Sequence, residues 1–413
     1  MKLLLLFVCL VAALSTSNAG SKSSSDSGSG SCSCEDEIED QITNVYIITA
    51  KDEKDLKKLI KKIGKKKDCE DATIKSEISS LMFAATVRMS PDCAEEVNDW
   101  GYVIEPNAVQ FTDEFDEPWN RDRIDQVDLP LDMQHFETSG GEGTTIFIMD
   151  TGVRVDHTEF NGRAEYYRDM LASDPTNPET GDPNGHGTRC AGAAIGATIG
   201  VATKANVKSI RVAGPTGSGS IEQSLLGFEE VEKWTIANPG AKCVVSYSLS
   251  SHGISTSLDT AVAKLSQKCV VVISAGNYGQ DPETADACKY SPGRAPEAIT
   301  VGAARLRQGA TVDDKAGFSC SGSCLTLYAP GHKVTVASSV SVDGVVTSSG
   351  TSFSAPAVAG AAAVLLSNGY DIYEVKDVIR NTAIKNKLSG LPAGDETNLL
   401  LNVQNSAFHQ PKP

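Results

Sequence analysis

The chain has 413 residues, of which 40% are hydrophobic and 22% are charged, a balance typical of a globular protein and not of a disordered one. Asp and Glu number 53 against 37 Lys and Arg, so the net charge of -16 disfavours general binding to nucleic-acid phosphates. The apolar residues are too dispersed for a membrane protein, and the length allows two or three domains with one sizeable core.

The N-terminus has the three parts of a secretory signal peptide. Lys2 is followed by an apolar run over residues 3–14, and Ser17 and Ala19 provide the small residues of a cleavage site. The run is short for a membrane anchor, which is the alternative interpretation. We therefore expect residues 1–19 to be removed and the mature protein to be secreted and extracellular. Ten of the eleven cysteines then enter an oxidising compartment, where disulfides persist.

A spacer and a small domain are predicted before residue 112. Residues 20–42 are expected to be a flexible spacer, because they are rich in Gly, Ser and acidic residues and offer little to bury. Residues 43–111 predict a separate α+β domain. Its predicted elements are strands at 44–49, 82–89 and 102–104 and an amphipathic helix at 55–63. The lysines on this helix indicate a solvated face, although they could also pair with an acidic surface elsewhere in the chain.

The pattern changes in the second part of the chain. Residues 112–142 are expected to form a linker and the mature N-terminal segment, since 112–130 is acidic and suits an exposed position. From 143 to 405, apolar runs alternate with helix-like stretches, which predicts βαβ units and a mostly parallel sheet covered on both faces. The runs lie at 144–149, 207–212, 244–248, 270–274 and 299–301, and the helices at 220–234, 255–268, 352–368 and 371–381. Residues 406–413 are predicted to be a C-terminal tail.

Three motifs of this region lie at strand ends or loops, where open parallel sheets place their ligands. Asp150 ends a predicted strand, and His186 lies between glycines that let other groups approach closely. Ser352 follows Gly350 at a predicted helix N-terminus, where free N–H groups favour a developing negative charge. Each motif alone also fits a structural role, namely a turn carboxylate, a surface or core histidine, and an N-cap serine.

Together, the order Asp, His, Ser with flanking glycines resembles the subtilase family of serine proteases. The resemblance covers residues 118–405 and is closest to the proteinase K-like branch, since the segment 119–131 is similar to the start of its mature enzymes. It implies a three-layer, subtilisin-like α/β fold with a central, mostly parallel sheet, preceded by an inhibitory propeptide domain at 43–111. The implied protein is a secreted serine endopeptidase, made as a zymogen that cuts itself between residues 107 and 118.

The resemblance also assigns roles to individual residues. Ser352 corresponds to the nucleophile, His186 to the general base and acid, and Asp150 to the carboxylate that orients the imidazole. Asn277, in the segment 271–277, corresponds to the side chain that stabilises the oxyanion together with the Ser352 backbone N–H. This chemistry requires no cofactor.

Substrate binding is assigned to three segments, one of which resembles the edge that pairs with the substrate backbone. The assigned residues are Gly217, Ser218, Gly219, Ser248, Leu249, Ser250, Ser251, Ser274, Ala275 and Gly276. Ser250 and Ser251 replace two glycines in the wall that the family's specificity pocket usually has. The width of the pocket therefore does not follow from the resemblance. The segments contain no acidic cluster to pair with Lys or Arg, so we expect broad cleavage after apolar or aromatic residues.

Six cysteines lie in the expected mature region, at positions 190, 243, 269, 288, 320 and 324. Cys288 and Cys324 correspond to positions bridged in some relatives, while Cys243 and Cys269 each begin a predicted strand and could meet across the sheet. Cys320 has no assigned partner, since sequence does not fix connectivity. Cys190 lies near His186 and corresponds to a free thiol of related enzymes. We expect it to have a packing role rather than a role in thiol chemistry.

One position bears on metal binding. Arg305 stands where the proteinase K-like branch has a calcium-binding Asp, and a cation there repels Ca²⁺. We expect that site to be lost, and any structural Ca²⁺ to have ligands not identified here. Asp313 and Asp314 are predicted to be surface charges rather than replacement ligands.

The expected partners are polypeptide substrates and the chain's own propeptide, and a monomer is expected. Two other functions are considered. The first is a non-catalytic binding protein on the same fold, which is disfavoured because all four matching site residues are present. The second is a peptide ligase, which would use the same residues to pass the acyl group to an amine.

Overall fold

The computed structural model describes residues 44–79, 82–106, 118–135, 137–177, 181–307, 309–392 and 397–412. The predicted signal peptide and spacer, and the acidic stretch 112–117, lie outside these residues. In the described part of the chain, no helix combines the length and the apolar character needed to cross a membrane. The chain divides into two compact units, the first ending at Asp113 and the second beginning at Glu114.

The described part of the first unit contains a four-stranded antiparallel sheet, two α-helices and a one-turn 3-10 helix. Its elements are β1 (Val45–Thr49), α1 (Glu53–Ile63), β2 (Thr73–Ile78), β3 (Ala84–Arg88), α2 (Pro91–Asp99) and β4 (Val103–Pro106). The strand order is β2-β3-β1-β4. Helix α1 buries Leu56, Leu59 and Ile63, as its amphipathic pattern predicts. A disulfide joins Cys69 to Cys93, a pairing that the sequence analysis did not make.

The second unit is built on one large sheet with helices on both faces. Its strands are β5 (Thr144–Asp150), β6 (Ala164–Asp169), β7 (Asn206–Arg211), β8 (Lys242–Tyr247), β9 (Val270–Ser274), β10 (Ile299–Arg305), β11 (Asp313–Lys315), β12 (Leu327–Pro330), β13 (Val334–Ala337), β14 (Val345–Ser348), β15 (Ile384–Lys385), β16 (Leu388–Ser389) and β17 (Leu399–Leu400). Its helices are α3 (Trp119–Asp122), α4 (His186–Ile195), α5 (Ile221–Ala237), α6 (Thr256–Leu265), α7 (Thr351–Ser367) and α8 (Ile372–Thr382). One-turn 3-10 helices lie at Lys67–Cys69 in the first unit and at Thr158–Phe160, Ala287–Lys289 and Ser406–Phe408 in the second.

The large sheet has the mostly parallel topology that the sequence predicts. Its order is β15-β17-β12-β10-β9-β8-β5-β7-β6, and the neighbouring pairs from β17 to β6 are parallel. Strands β11 and β16 extend one side, and β13 and β14 form a separate hairpin. All five residues of β9 are buried, because a parallel strand between two helical layers is covered on both faces.

Alternate residues of β5 enter two different cores, which gives the unit three layers. Ile146 and Ile148 pack on one face with α4 and α7, whereas Phe147 and Met149 pack on the other with α5 and α6. Helix α7 is buried along nearly its whole length, as its Ala- and Val-rich sequence predicts. Phe408, inside the segment predicted as a tail, is also buried in the core that contains α7.

The prediction of an exposed linker is wrong for residues 119–125, whereas Val127, Asp128 and Pro130 are exposed as expected. Trp119 and Arg123 are buried, and the Arg123 guanidinium donates to both oxygens of Asp313 at 2.8–3.0 Å. The prediction that Asp313 is a surface charge is therefore wrong as well. A charged residue considered alone predicts an exposed position. A guanidinium and a carboxylate that pair with each other can nevertheless be buried together.

Disulfides also connect the second unit internally. Cys243 is bonded to Cys269 and Cys288 to Cys324, which are the pairs expected from the sequence. The first of these bonds joins the start of β8 to the residue before β9, so it links neighbouring strands. Cys320 is a buried free thiol.

Candidate active site

Asp150 is the last residue of β5, and the pairing of this strand with β7 and β8 fixes its position. Its carboxylate is almost completely buried, and its Oδ1 accepts the backbone N–H of Thr151 at 2.8 Å. Gly152 ends the extended backbone with a φ of +113°, where an L side chain would be strained and a Cβ would lie 2.6 Å from the Gly181 carbonyl oxygen. The strand therefore ends with its carboxylate aimed at the following loop.

His186 is the first residue of α4 and faces that carboxylate. Its Nδ1 lies 2.8 Å from Asp150 Oδ1. Gly187 allows this approach, because a Cβ at this position would overlap the Gly152 carbonyl oxygen. Gly187 is thus required by the close packing of α4 on the end of β5, whereas Gly185 has a φ of +90° and faces Ser339.

Asp182 holds the helix start against the strand end, and the sequence analysis missed it. Its Oδ1 accepts from the Thr151 hydroxyl and the Gly185 N–H, each at 2.8 Å, and its Oδ2 accepts the N–H and hydroxyl of Thr188 at 2.8 and 2.7 Å. The Thr151 oxygen in turn accepts the Gly187 N–H at 3.0 Å. An aspartate a few residues before a run of small residues that suits a helix is a capping signal, and it could have identified this residue.

Ser352 is the second residue of α7 and lies beside the histidine. Its carbonyl oxygen accepts from the Ser248 hydroxyl at 3.0 Å and the Cys190 thiol at 3.2 Å. The neighbouring Phe353 ring is 5.6 Å from the His186 ring, centroid to centroid. Among the described residues, the Ser352 hydroxyl has no hydrogen-bond partner, and such contacts are often long in sites without substrate.

Asn277 lies against the turn that leads to Ser352. Its Oδ1 accepts the backbone N–H of Thr351 at 2.9 Å and the Thr351 hydroxyl at 3.0 Å. The amide orientation follows from these two donors, so the NH₂ group points the other way. A Cβ at Gly350 would lie 3.6 Å from that Nδ2, which places the amide donor next to the N-terminus of α7.

Opposing influences set the ionisation of His186. Burial, the largest of them, acts to lower the pKa of His186, but the charge and hydrogen bond of Asp150, together with Cys190, raise the pKa well above its usual value of 6.5. Burial also raises the pKa of the Cys190 thiol. Cys190 is therefore a neutral thiol at ordinary pH, which agrees with the packing role expected for it.

Asp150, His186 and Cys190 are the one group within the described residues with three potential metal ligands close together. These donors fit a metal poorly. The carboxylate and the imidazole already bond each other, and the buried thiol is not a thiolate.

Ser248, whose hydroxyl donates to the Ser352 carbonyl oxygen, also lines a cavity of about 320 Å³. Its lining residues are Gly217, Ser218, Gly219, Ser220, Ile221, Ser224, Tyr247, Ser248, Leu249, Ser250, Ser251, His252, Leu258 and Tyr278. Seven of the residues assigned to substrate binding are in this set. Ser274, Ala275 and Gly276 lie outside the lining, and the Gly276 N–H donates to the Thr351 hydroxyl instead, at 3.2 Å. No Asp or Glu is among the described lining residues.

The model of the subtilase family matches residues 141–408 of this chain. The chain belongs to the subtilase family. It is 40% identical over 249 residues to an extracellular serine proteinase of Thermus sp. (strain Rt41A), and this match covers 60% of the chain and 56% of the relative. It is 34% identical over 314 residues to a cuticle-degrading serine protease of Arthrobotrys oligospora, which covers 73% of the chain and 72% of the relative.

The chain spans somewhat more than half the length of the first of these relatives. Among solved structures, a cold-adapted subtilisin-like serine proteinase is 35% identical, with a TM-score of 0.61. This match covers 70% of the present chain and 98% of the solved chain. Sphericase is similar too, with a TM-score of 0.60 at 25% identity over 71% of this chain and 98% of its own. These matches agree with the expected subtilisin-like fold.

Proposed function

We propose that this chain is a secreted serine endopeptidase that hydrolyses peptide bonds through an acyl-enzyme. The observation that carries the proposal is the 2.8 Å contact between Asp150 Oδ1 and His186 Nδ1, next to the turn that bears Ser352 and that Asn277 contacts. Two of the relatives are named as an extracellular serine proteinase and a cuticle-degrading serine protease, which supports the same class of reaction.

Acylation begins at the Ser352 hydroxyl, which attacks the carbonyl carbon of the scissile bond. His186 Nε2 takes the hydroxyl proton, while Asp150 accepts the Nδ1 proton in a hydrogen bond and stabilises the imidazolium. The negative charge then lies on the substrate oxygen. When the tetrahedral intermediate collapses, the C–N bond breaks, and the imidazolium gives its proton to the departing amine. Water repeats these steps on the ester and regenerates the serine.

Two N–H donors stabilise the oxyanion in this proposal. One is the backbone N–H of Ser352 at the N-terminus of α7, and the other is Asn277 Nδ2. Because Thr351 holds the Asn277 carbonyl from the other side, the NH₂ group does not need to reorient during the reaction. A fixed donor stabilises the transition state without a reorganisation cost.

The specificity that we propose is broad, with a preference for an apolar or aromatic residue before the cleaved bond. The cavity of about 320 Å³ has room for such a side chain, and its described lining contains no carboxylate to attract Lys or Arg. Ser251 donates to the Ser291 carbonyl oxygen at 2.9 Å, which holds one wall of the cavity in place.

The remaining parts of the proposal concern maturation. Residues 1–19 direct secretion, and the unit that ends at Asp113 is a propeptide that inhibits the second unit until the chain cuts itself between residues 107 and 118. The mature protein acts as a monomer. A structural Ca²⁺ remains a prediction without assigned ligands.

The test compares the purified precursor with its Ser352→Ala variant. The wild type should convert to a shorter form whose new N-terminus lies in the predicted interval, and a serine-directed phosphonate should label it. Ser352→Ala should do neither, whereas Ser349→Ala, which changes an exposed serine of the same loop, should do both. If Ser352→Ala still matures when purified alone, self-processing is wrong.

The same preparation separates the two competing functions. A wild type that cleaves no protein in a denatured mixture would favour a binding protein. If an added amine appears on the new C-termini in place of water, the chain is a ligase.

A further inference from the structure

The segment 276–278, which follows β9, lies against the loop 316–324 between β11 and β12. Just after this segment, Gly279 donates its N–H to the Phe318 carbonyl oxygen at 2.8 Å. A Cβ at Gly279 would overlap the Ser319 carbonyl oxygen. The two stretches of backbone therefore approach each other too closely at this point for a side chain to lie between them.

Cys320 of this loop holds both of the peptide groups that flank Asn277. Its backbone N–H donates to the Gly276 carbonyl oxygen at 3.0 Å, and its Sγ accepts the N–H of Tyr278 at 3.4 Å. That carbonyl belongs to the peptide group before Asn277, and that N–H belongs to the peptide group after it. Because the two planar groups determine the φ and ψ of Asn277, Cys320 fixes the direction in which the Asn277 side chain leaves the backbone.

The Cys320 side chain has little freedom to move. The residue is completely buried, and a Cβ at Gly276, whose φ is +100°, would lie 3.3 Å from the sulfur. Burial raises the pKa of the Cys320 thiol, so the sulfur that accepts the Tyr278 N–H is neutral at ordinary pH. The sulfur thus provides a fixed, uncharged acceptor.

The loop is anchored on both sides of Cys320. On one side, the Ser319 hydroxyl oxygen accepts the backbone N–H of Ala303, which belongs to β10, at 2.9 Å. On the other side, Cys324 is bonded to Cys288. A loop that is fixed at both ends can hold a neighbouring segment in place.

We infer that Cys320 is a positioning residue for Asn277, because it fixes the backbone of Asn277 while Thr351 fixes its amide group. Cys320 touches no reacting atom. This inference rests on the proposed endopeptidase function and adds a residue to the part of the site that stabilises the oxyanion. The oxyanion forms only after the serine attacks, so a misaligned Asn277 should lower kcat and leave KM nearly unchanged.

The experiment measures steady-state cleavage of a peptide substrate by the mature protein with Cys320→Ala or Cys320→Ser. Cys320→Ala removes the acceptor of the Tyr278 N–H, so we expect kcat to fall about tenfold with KM nearly unchanged. Cys320→Ser restores an acceptor, but on a shorter bond, so kcat should fall only about threefold.

Two comparisons separate positioning from a general effect on the fold. Ser323→Ala is the matched control, because it changes an exposed serine of the same loop that contacts Cys288, and it should keep the wild-type kcat. In a protein that already carries Asn277→Ala, Cys320→Ala should cost almost nothing more, since the donor that it positions is absent.

A wild-type kcat in folded Cys320→Ala overturns the inference, and so does a loss that persists in full beside Asn277→Ala. If Cys320→Ala does not fold, Cys320→Ser provides the same two comparisons, and either an unchanged kcat or an undiminished loss beside Asn277→Ala overturns the inference. These outcomes concern Cys320 alone, whereas a wild type that cleaves no peptide defeats the proposed function.

Discussion

The hydroxyl and the backbone N–H of Thr351 both donate to the amide oxygen of Asn277, at 3.0 and 2.9 Å. Two donors on one oxygen leave the amide a single favourable orientation, with its NH₂ group toward the N-terminus of α7. Thr351 thus acts as a positioning residue for the proposed oxyanion donor, although it touches no reacting atom.

Replacing Thr351 by Val keeps the side-chain shape and removes the hydroxyl. We expect kcat to fall about tenfold with KM nearly unchanged, because the Asn277 amide loses one of its two fixed contacts and stabilises the transition state less well. Steady-state kinetics on a peptide substrate provide the measurement. Thr347→Val, an exposed threonine on β14, is the control and should leave kcat unchanged.

The double variant with Asn277→Ala distinguishes positioning from a general effect on the fold. Asn277→Ala alone should lower kcat by about 10²–10³, the magnitude known for one such donor in a relative of this family. Adding Thr351→Val should then cost almost nothing more, because the residue it positions is absent. Fully additive losses would contradict the role given to Thr351.

Asp182→Asn should both destabilise the second unit and lower activity. The carboxylate accepts from Thr151, Gly185 and Thr188, and the amide cannot accept on both of its groups, so the start of α4 loosens under His186. We expect a loss of about 2–4 kcal/mol in the free energy of unfolding, measured by urea titration.

Asp174→Asn is the matched control for this change. Asp174 also accepts from a nearby backbone N–H and a hydroxyl, both of Thr176, but it lies on the surface. Its replacement should change the free energy of unfolding far less than Asp182→Asn does. Equal losses in the two variants would refute a specific role for Asp182.

Activity should rise with pH and reach half of its maximum above pH 6.5. Only the neutral imidazole of His186 can accept the serine proton, and the Asp150 carboxylate raises the pKa of His186 well above 6.5 in spite of burial. For an uncharged peptide, kcat/KM measured from about pH 5 to about pH 10 should rise as the imidazolium loses its proton.

Asp150→Asn tests the cause of this shift. Without the carboxylate, its charge no longer opposes the effect of burial on the pKa of His186, so the midpoint of the residual activity should move downward. A wild-type midpoint at or below pH 6.5 would show that the Asp150 charge does not govern the ionisation.

Asp313→Asn should destabilise the second unit strongly. Arg123 and Asp313 are each only 1% exposed at the side chain, so the variant leaves a buried guanidinium without its counter-charge. We expect a loss of about 3–5 kcal/mol in the free energy of unfolding. Asp128→Asn, which breaks the exposed pair with Lys387, should have a far smaller effect. A similar small loss for both would mean that the buried pair contributes little.

Much of the fold and the main site residues could be predicted from local patterns. The apolar β-branched runs overlap β5, β7, β8, β9 and β10, because a parallel strand between helices needs apolar residues on both faces. Asp150, His186 and Ser352 were identifiable because glycines mark each close approach, and the structure brings the three into one region.

Other features depend on contacts that no local pattern contains. Arg123 and Asp313 are 190 positions apart, and neither segment signals that its charge will be neutralised by the other. The Cys69–Cys93 disulfide joins the 3-10 helix and α2 within the first unit, where the spacing of the cysteines gave no indication of a partner. Such contacts follow from the assembled fold.

Helix α7 carries Ser352 at one end and is enclosed by other elements over nearly its whole length. The nucleophile therefore cannot shift unless the interior of the unit opens, and heat inactivation should coincide with global unfolding. This coupling of activity to global unfolding would protect a protease that is surrounded by copies of itself. A partly unfolded copy would be digested by the active copies around it, so a fold that stays closed until it unfolds completely is an advantage.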